Sequence, residues 1–114
     1  MSATVVVFTQ RADKECKKLT KLANKVKESN TVLHAIDKKI DMLKSNVHCG
    51  QQVVGKMIPV EYIREYRIEN LYRMELPNFW RMLYTLAETE EETIAFIIDI
   101  LDHKRYSRKF GYKR

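Results

Sequence analysis

The chain has 114 residues, of which 45% are hydrophobic and 32% charged, and its formal net charge is +6. These values fit a globular protein and exclude a disordered or membrane-embedded chain. No apolar run is long enough to cross a bilayer, and the first residues lack the pattern of a signal peptide. Cys16 and Cys49 are too few for a disulfide framework, which agrees with a reducing compartment. We therefore expect a single cytoplasmic domain over residues 1–114, without membrane contact.

The first part of the chain predicts a strand followed by two helices. The apolar and β-branched residues 4–8 predict a strand that is buried on both faces or central in a sheet. Thr9 is a capping residue for a first helix, in which apolar residues recur at helical spacing over residues 12–26. Residues 29–31, Ser-Asn-Thr, indicate a break that caps a second helix. Two amphipathic helices with a short joint predict an antiparallel helical hairpin.

The second part of the chain predicts mainly strands. Residues 45–70 are an irregular loop, with a short helix or turn at residues 60–66. The stretch LYRMELPNFWRMLYTL, residues 71–86, predicts two strands joined by a turn at Pro77-Asn78. Residues 93–101, TIAFIIDIL, predict a central strand. Residues 102–114 form a basic, aromatic tail.

This order of elements predicts an α+β fold. An N-terminal strand and a three-stranded antiparallel meander form one small sheet, and the helical hairpin packs on one face of that sheet. A short basic C-terminal tail follows. Because successive side chains of a strand point to opposite faces, Arg73 and Glu75 share a face opposite Tyr72, Met74 and Leu76. The β-hairpin therefore buries one face and displays arginine on the other.

Three segments together resemble the RelE/ParE toxin superfamily in their order, spacing and length. They are VVVFTQRADKECKKL near the N-terminus, NLYRMELPNFWRMLYTL in the middle and IIDILDHKRYSRKF near the C-terminus. The loop at residues 45–70 is longer than the family's usual link into the hairpin. The resemblance implies one of two activities. RelE-type members cut messenger RNA in the ribosomal A site without a metal, and ParE-type members poison gyrase. An antitoxin neutralises both types.

The resemblance also implies site residues. It places Arg81 at the family's phosphate-binding arginine and Arg73 at a basic position of the preceding strand. The companion basic position holds Glu75, which is a departure from the family pattern. The tail would supply a cation from Lys104, Arg105 or Arg108 and a proton-handling aromatic from Tyr106 or Tyr112, although Phe110 competes for the tyrosine's place.

Several of these residues have two interpretations. Glu75 is either a general base or an ion-pair partner that neutralises the charge of the arginines. His103 beside Asp102 is an acid–base pair or part of an end cap. Tyr106 and Tyr112, lying in a polar tail, could stack on RNA bases, whereas Trp80 and Tyr84 suit a core. Lys17 and Lys21 belong to a helix face that contacts RNA or is simply solvated.

The leading hypothesis is a RelE-like toxin that cuts messenger RNA on the ribosome without a metal and is neutralised by an antitoxin. The alternative is a non-catalytic superfamily member that binds an antitoxin peptide, a topoisomerase or nucleic acid through a degraded active site. A plain basic nucleic-acid-binding domain is a third interpretation. We predict no cofactor, and His48-Cys49 alone does not make a metal site. The sequence leaves homodimer formation open.

Overall fold

A computed structural model describes residues 3–111 and confirms the predicted α+β fold. Tyr112 lies outside the described residues. The strands are β1 (Ala3–Phe8), β2 (Gln51–Gln52), β3 (Tyr72–Leu76), β4 (Trp80–Glu88) and β5 (Glu92–Leu101), and the helices are α1 (Gln10–Leu22), α2 (Lys27–Ser45), α3 (Val60–Tyr66) and α4 (His103–Lys109). Short 3-10 turns span Gly55–Met57 and Pro77–Phe79. Within the described residues, no helix is long and apolar enough to cross a membrane.

The described strands form a sheet in the order β1-β5-β4-β3-β2. Strands β3, β4 and β5 are the predicted antiparallel meander, and β1 joins β5 in parallel after the chain has crossed through α1 and α2. Strand β5 lies inside the sheet, between β1 and β4, as its continuous apolar sequence predicts. The predicted turn at Pro77-Asn78 is also confirmed.

The prediction that the first strand is central or buried on both faces is wrong. Strand β1 lies at the edge of the sheet, and Val5 and Val7 are 37% and 38% exposed. The other side of β1 packs on the core through Val6 and Phe8. A short β-branched run is compatible with an edge strand that buries one face, and here the longer apolar strand β5 takes the inner place.

The predicted start of the second helix is also wrong. Helix α2 begins at Lys27 after an N-cap residue, Val26, that makes no side-chain capping bond. The Ser-Asn-Thr segment lies inside the helix, where Ser29 is buried and the Thr31 hydroxyl donates to the carbonyl of Lys27 at 3.1 Å. Serine and threonine can satisfy their hydroxyls on the preceding turn, so a cap-like sequence does not always begin a helix. In contrast, the Thr9 cap of α1 is confirmed, because its side chain accepts from Ala12 N.

Helices α1 and α2 pack on one face of the sheet, which we call the helix-hairpin face. Its core joins helix residues to alternate residues of the strands, including Leu19, Ile36, Leu43, Met74, Met82, Tyr84, Ile97 and Ile100. Trp80 and Tyr84 are buried in this core, which confirms their predicted role. This face is therefore the apolar base on which the β-hairpin is held.

The opposite face of the sheet, which we call the charged face, is partly covered by α3 and α4. Its smaller core consists of Ile58, Tyr62, Leu71, Leu83, Ile98, Leu101 and Tyr106. The predicted tail is thus largely a helix, and it covers part of the face on which the β-hairpin was expected to display its arginines. The physical reason is that Tyr106 supplies an apolar ring to a segment whose other residues are mostly polar, and burial of that ring docks α4 on the sheet.

A bulge in β5 determines which residues reach the charged face. Leu83 pairs with Asp99 and Tyr84 pairs with Ile97, so Ile98 has no opposite residue in β4. As a result Ile98 and Asp99 both point to the charged face, while Ile97 and Ile100 point to the helix-hairpin face. Bulges of this kind re-aim side chains within an otherwise regular strand. The bulge therefore turns the carboxylate of Asp99 to the charged face.

Gly50 allows the loop that follows α2 to lie directly against the β-hairpin. Its N–H donates to the Tyr84 hydroxyl at 3.0 Å, and that hydroxyl donates to the carbonyl of Val47 at 2.8 Å. A Cβ atom at position 50 would lie 2.8 Å from the Tyr84 ring and 3.1 Å from the Arg73 carbonyl oxygen. Only glycine allows this close contact without displacement of the ring.

Candidate functional site

The β-hairpin places three charged residues together on the charged face. In its register Glu75 lies opposite Arg81, and Arg73 lies opposite Leu83, so the alternation predicted from the sequence is confirmed. At the turn, Asn78 and Phe79 both adopt left-handed backbone conformations, with φ of 60° and 63°. Asparagine tolerates this conformation, whereas a left-handed phenylalanine is uncommon.

Glu75 forms ion pairs with both arginines. Its two carboxylate oxygens lie 3.0 Å from Arg81 Nε and 3.4 Å from Arg73 Nε. The Arg81 side chain is only 14% exposed, whereas that of Glu75 is 60% exposed. Arg81 also donates to the carbonyl of Phe79 at 2.7 Å. The carboxylate therefore covers the guanidinium groups from the solvent side.

Tyr106 lies beneath the two arginines. Arg73 donates to its hydroxyl at 2.7 Å and also to the side chain of Gln51. The Arg81 guanidinium lies 4.9 Å from the centre of the Tyr106 ring, a cation–π distance. Tyr106 is 2% exposed, so the expectation that it stacks on RNA bases is wrong. Arg73, Glu75, Arg81 and Tyr106 nevertheless form one cluster, which we call the arginine cluster.

His103 lies at the start of α4 and outside the arginine cluster. Asp102 is the N-cap of this helix, and its carboxylate accepts from Arg105 N at 2.8 Å. Of the two interpretations of the Asp102-His103 pair, the end cap is therefore the one that the geometry supports. The His103 side chain is exposed, and its ring packs against Phe79 with centres 5.7 Å apart.

Arg105 forms hydrogen bonds and ion pairs with acidic residues outside α4. It donates to both carboxylate oxygens of Glu15 at 3.0 and 2.9 Å, and it lies 3.2 Å from Asp102. Its guanidinium also lies 5.5 Å from the centre of the Trp80 ring. The hydrogen bonds that Arg105 donates to the Glu15 carboxylate raise the pKa of Arg105. This arginine joins α4 to α1, so the prediction that it is a free cation for RNA is not supported by its contacts.

The remaining predicted RNA-binding residues lie on the surface and are not brought to the arginine cluster. Lys104 and Arg108 are exposed on α4. Lys17 and Lys21 are exposed on α1, which packs on the opposite face, and Lys17 pairs with Asp13 at 3.1 Å. Contacts of these four residues with RNA stay a prediction.

The comparison with known families agrees with this architecture. Residues 6–106 match a family model described as the ParE toxin of the type II toxin–antitoxin system parDE. The chain belongs to this family. The resemblance to the RelE/ParE superfamily is thereby confirmed, and so is the general function: the protein is a toxin of a toxin–antitoxin system, whose partner is an antitoxin. No curated protein matches the chain.

The toxin also contains a network around Asp99 that the sequence reasoning missed. Asp99 is 3% exposed, accepts from the Tyr62 hydroxyl at 2.7 Å and lies 3.5 Å from Arg11. Burial raises the pKa of Asp99, and burial with the nearby Asp99 charge raises the pKa of Tyr62. One signal could have revealed it: Asp99 is the only charge within the apolar part of β5, and a buried charge requires partners.

This network lines an open cleft of about 420 Å³ between α1, α3 and α4. Four of its lining residues are basic and three are acidic: Arg11, Arg105, Arg108 and Lys109, with Glu15, Glu61 and Asp99. Lys109 pairs with Glu61 at 2.6 Å, and this hydrogen bond lowers the pKa of Glu61. Most of the charges are therefore satisfied within the toxin. Within residues 3–111, no group of three or more His, Cys, Asp or Glu side chains could hold a metal ion.

Proposed function

We propose that this toxin acts by binding its target in the ParE manner, as an inhibitor of the type II topoisomerase DNA gyrase, and that its antitoxin reverses the inhibition. The observation that carries the proposal is the double ion pair of Glu75 with Arg73 and Arg81. Membership of the ParE family points in the same direction.

The chemistry of RNA cleavage explains why this ion pair matters. Attack of a 2′-hydroxyl on the adjacent phosphate needs cations that stabilise the developing negative charge, together with groups that remove and supply protons. In the arginine cluster both guanidinium groups are already paired with the carboxylate of Glu75, with which a phosphate would have to compete. Tyr106 is buried and its hydroxyl accepts a hydrogen bond from Arg73, so it does not face an incoming RNA.

A second candidate function is ribosome-dependent cleavage of messenger RNA. It is favoured by the close association of Arg73, Arg81 and Tyr106, the residues for which the superfamily resemblance implies roles in phosphate binding and proton transfer. Because Glu75 is exposed on the solvent side, it could move aside or accept a proton from the attacking hydroxyl. On this hypothesis Arg81→Ala abolishes cleavage. The matching tyrosine variant is Tyr106→Phe rather than Tyr106→Ala, since the ring belongs to the core.

The proposal is tested by DNA supercoiling with purified gyrase. We expect the toxin to block supercoiling of a relaxed plasmid, and we expect addition of the antitoxin encoded beside the toxin gene to restore it. A reaction with the pre-formed toxin–antitoxin complex is the control. Normal supercoiling at a large molar excess of toxin, together with growth arrest when the toxin is produced in cells, would contradict the choice of target.

Three further expectations accompany this proposal. We propose that residues 1–114 act as one domain, because the chain length supports a single core of ordinary size. We place the protein in the cytoplasm, where gyrase and ribosomes are found. A homodimer stays an open prediction, for which sedimentation of the purified toxin is the direct measurement.

A further inference from the structure

The segment that precedes the β-hairpin exposes an unusual number of apolar side chains. Val54, Met57, Val60 and Ile63 are 62%, 42%, 57% and 40% exposed. All four fall within ten consecutive residues, and the sequence resemblance marks this segment as longer than the family's usual link. Single exposed apolar residues are common on protein surfaces, but a group of this kind is typical of an interaction site.

Helix α3 has three distinct sides. Tyr62 and Tyr66 face inward and pack in the core of the charged face. Glu61 and Glu65 face α1, where both pair with Arg11. The third side carries Val60, Ile63 and Arg64 at the spacing of neighbours on one helix face, and all three are exposed. This outer side, together with Val54 and Met57, is the surface that we call the α3 patch.

The unpaired charges around the α3 patch are mostly positive; the exception is Glu69, an exposed carboxylate that has no ion pair in the described chain and lines a pocket with Arg67. Lys56, Arg64 and Arg67 are exposed, and none of them forms an ion pair with another residue of the described chain. The nearby carboxylates Glu61 and Glu65 are already bonded to Arg11, and Glu61 also to Lys109. A partner that covers the patch must therefore supply both apolar side chains and negative charge.

We propose that the α3 patch binds a segment of the antitoxin in which apolar and acidic residues are interleaved. The inference rests on the proposed function only in taking the antitoxin as the partner. The apolar side chains of that segment would cover Val60 and Ile63, and its carboxylates would pair with Arg64 and the neighbouring cations. Burial of a few aliphatic side chains supplies affinity, and the charges supply orientation and a faster encounter.

The same features argue against other occupants. A second copy of the toxin would bring Lys56, Arg64 and Arg67 against the same cations of its partner, which is unfavourable. A nucleic acid would find no aromatic ring among the four exposed apolar residues of the patch on which to stack a base. These alternatives, and an anionic membrane surface, are distinguished in the experiment.

The test compares two double variants that change the same kinds of residue at two places. I63S/R64E alters the α3 patch. K25E/V26S alters the joint between α1 and α2, where Val26 has the same exposure as Ile63, 40%. The affinity of each purified variant for the purified antitoxin encoded beside the toxin gene is measured by calorimetry at two salt concentrations. We expect I63S/R64E to weaken binding by about tenfold or more and to reduce its salt dependence, and K25E/V26S to change binding by less than about twofold.

Five results would overturn the inference. Unchanged affinity of I63S/R64E, or equal weakening by both double variants, would remove the α3 patch from the antitoxin interface. Loss of growth arrest by I63S/R64E with full antitoxin affinity would assign the patch to the toxin's target. A change in the sedimentation of free toxin would assign it to a second copy, and loss of binding to phosphatidylglycerol vesicles would assign it to a membrane. Failure of wild-type toxin to inhibit gyrase would instead refute the proposed function and leave the affinity comparison intact.

Discussion

The two faces of the sheet are held by different kinds of interaction. On the helix-hairpin face, α1 and α2 bury a continuous apolar core against β3, β4 and β5. On the charged face, α3 and α4 bury a smaller core that is crossed by hydrogen bonds, ion pairs and cation–π contacts. The apolar contacts of the first face are non-directional, whereas those of the second depend on the position of each charged atom.

This difference affects which class of partner the positive net charge indicates. A net charge of +6 suggests a surface ready for a polyanion, yet several cations on the charged face already have acidic or aromatic partners within the toxin. Arg105 is bonded to Glu15, and Arg73 and Arg81 are paired with Glu75. Of the cations that have no ion pair in the described chain, Lys56 and Arg64 lie in the segment that also exposes Val54, Met57, Val60 and Ile63. At this place the uncompensated charge therefore favours a protein partner.

The largest effect on stability is expected on the helix-hairpin face. Ile36→Ala leaves a cavity among fully buried neighbours, and we expect it to lower the free energy of unfolding by about 3 kcal/mol. Urea unfolding measures the change. Met42→Ala on the same helix, at a side chain that is 45% exposed, is the control and should cost less than about 1 kcal/mol. Similar losses for both variants would mean that this face is not tightly packed.

A smaller loss is expected from one hydroxyl on the charged face. Tyr62→Phe removes the donor to Asp99 and leaves a buried carboxylate with fewer partners, which should cost about 1 to 3 kcal/mol in urea unfolding. Tyr72→Phe is the matched control, because Tyr72 is buried but its hydroxyl has no hydrogen bond within the described chain. If both variants were equally stable, the Asp99 network would contribute nothing to the docking of α3.

The pH dependence of stability should reveal Asp99 directly. Burial raises its pKa in the folded state, so the folded toxin holds this proton more tightly than the unfolded chain does. The stabilisation that this proton gives the folded toxin is complete below about pH 3.9, the pKa of an unperturbed aspartate, and it is lost as the pH rises through the pKa of Asp99 in the folded state. Its size is about 1.4 kcal/mol for every pH unit that separates the folded and unfolded pKa values. The unfolding free energy of wild type minus that of Asp99→Asn should therefore fall over this range and then level off. A difference that rises with pH would show that Arg11 and Tyr62 outweigh burial.

The smallest effect on stability is expected from Glu75→Gln. The carboxylate is 60% exposed, so its two ion pairs should contribute less than about 1 kcal/mol to unfolding. The same change should strengthen binding of single-stranded RNA several-fold at low salt, because it releases two arginines for phosphate. Glu69→Gln changes the net charge equally at an exposed site without an ion pair in the described chain, and it should have a much smaller effect. Equal strengthening by both variants would mean that Glu75 does not restrain the arginines.

The two faces also differ in how far the sequence predicts them. The helix-hairpin face follows from period-3.6 and period-2 patterns, and the residues predicted for it, such as Trp80 and Tyr84, are buried there. The charged face cannot be predicted from these patterns. Arg105, Tyr106 and Asp99 owe their positions to contacts with residues that are distant in sequence, and Asp99 also depends on the bulge in β5. Strand alternation correctly placed Arg73 and Glu75 on one face. The sequence left open whether Glu75 is a base or an ion-pair partner, and the distances in the structure show the ion pairs.

The most direct test of the central claim, that Glu75 holds the arginine cluster closed and the toxin acts by binding, is messenger RNA cleavage on programmed ribosomes. Wild-type toxin and Arg81→Ala are incubated with ribosomes that carry a defined message and an empty A site, and the message is mapped by primer extension. We expect the message to stay intact with both proteins, at concentrations of toxin that inhibit gyrase. Cleavage within the A-site codon by the wild type, and its loss in Arg81→Ala, would contradict the claim.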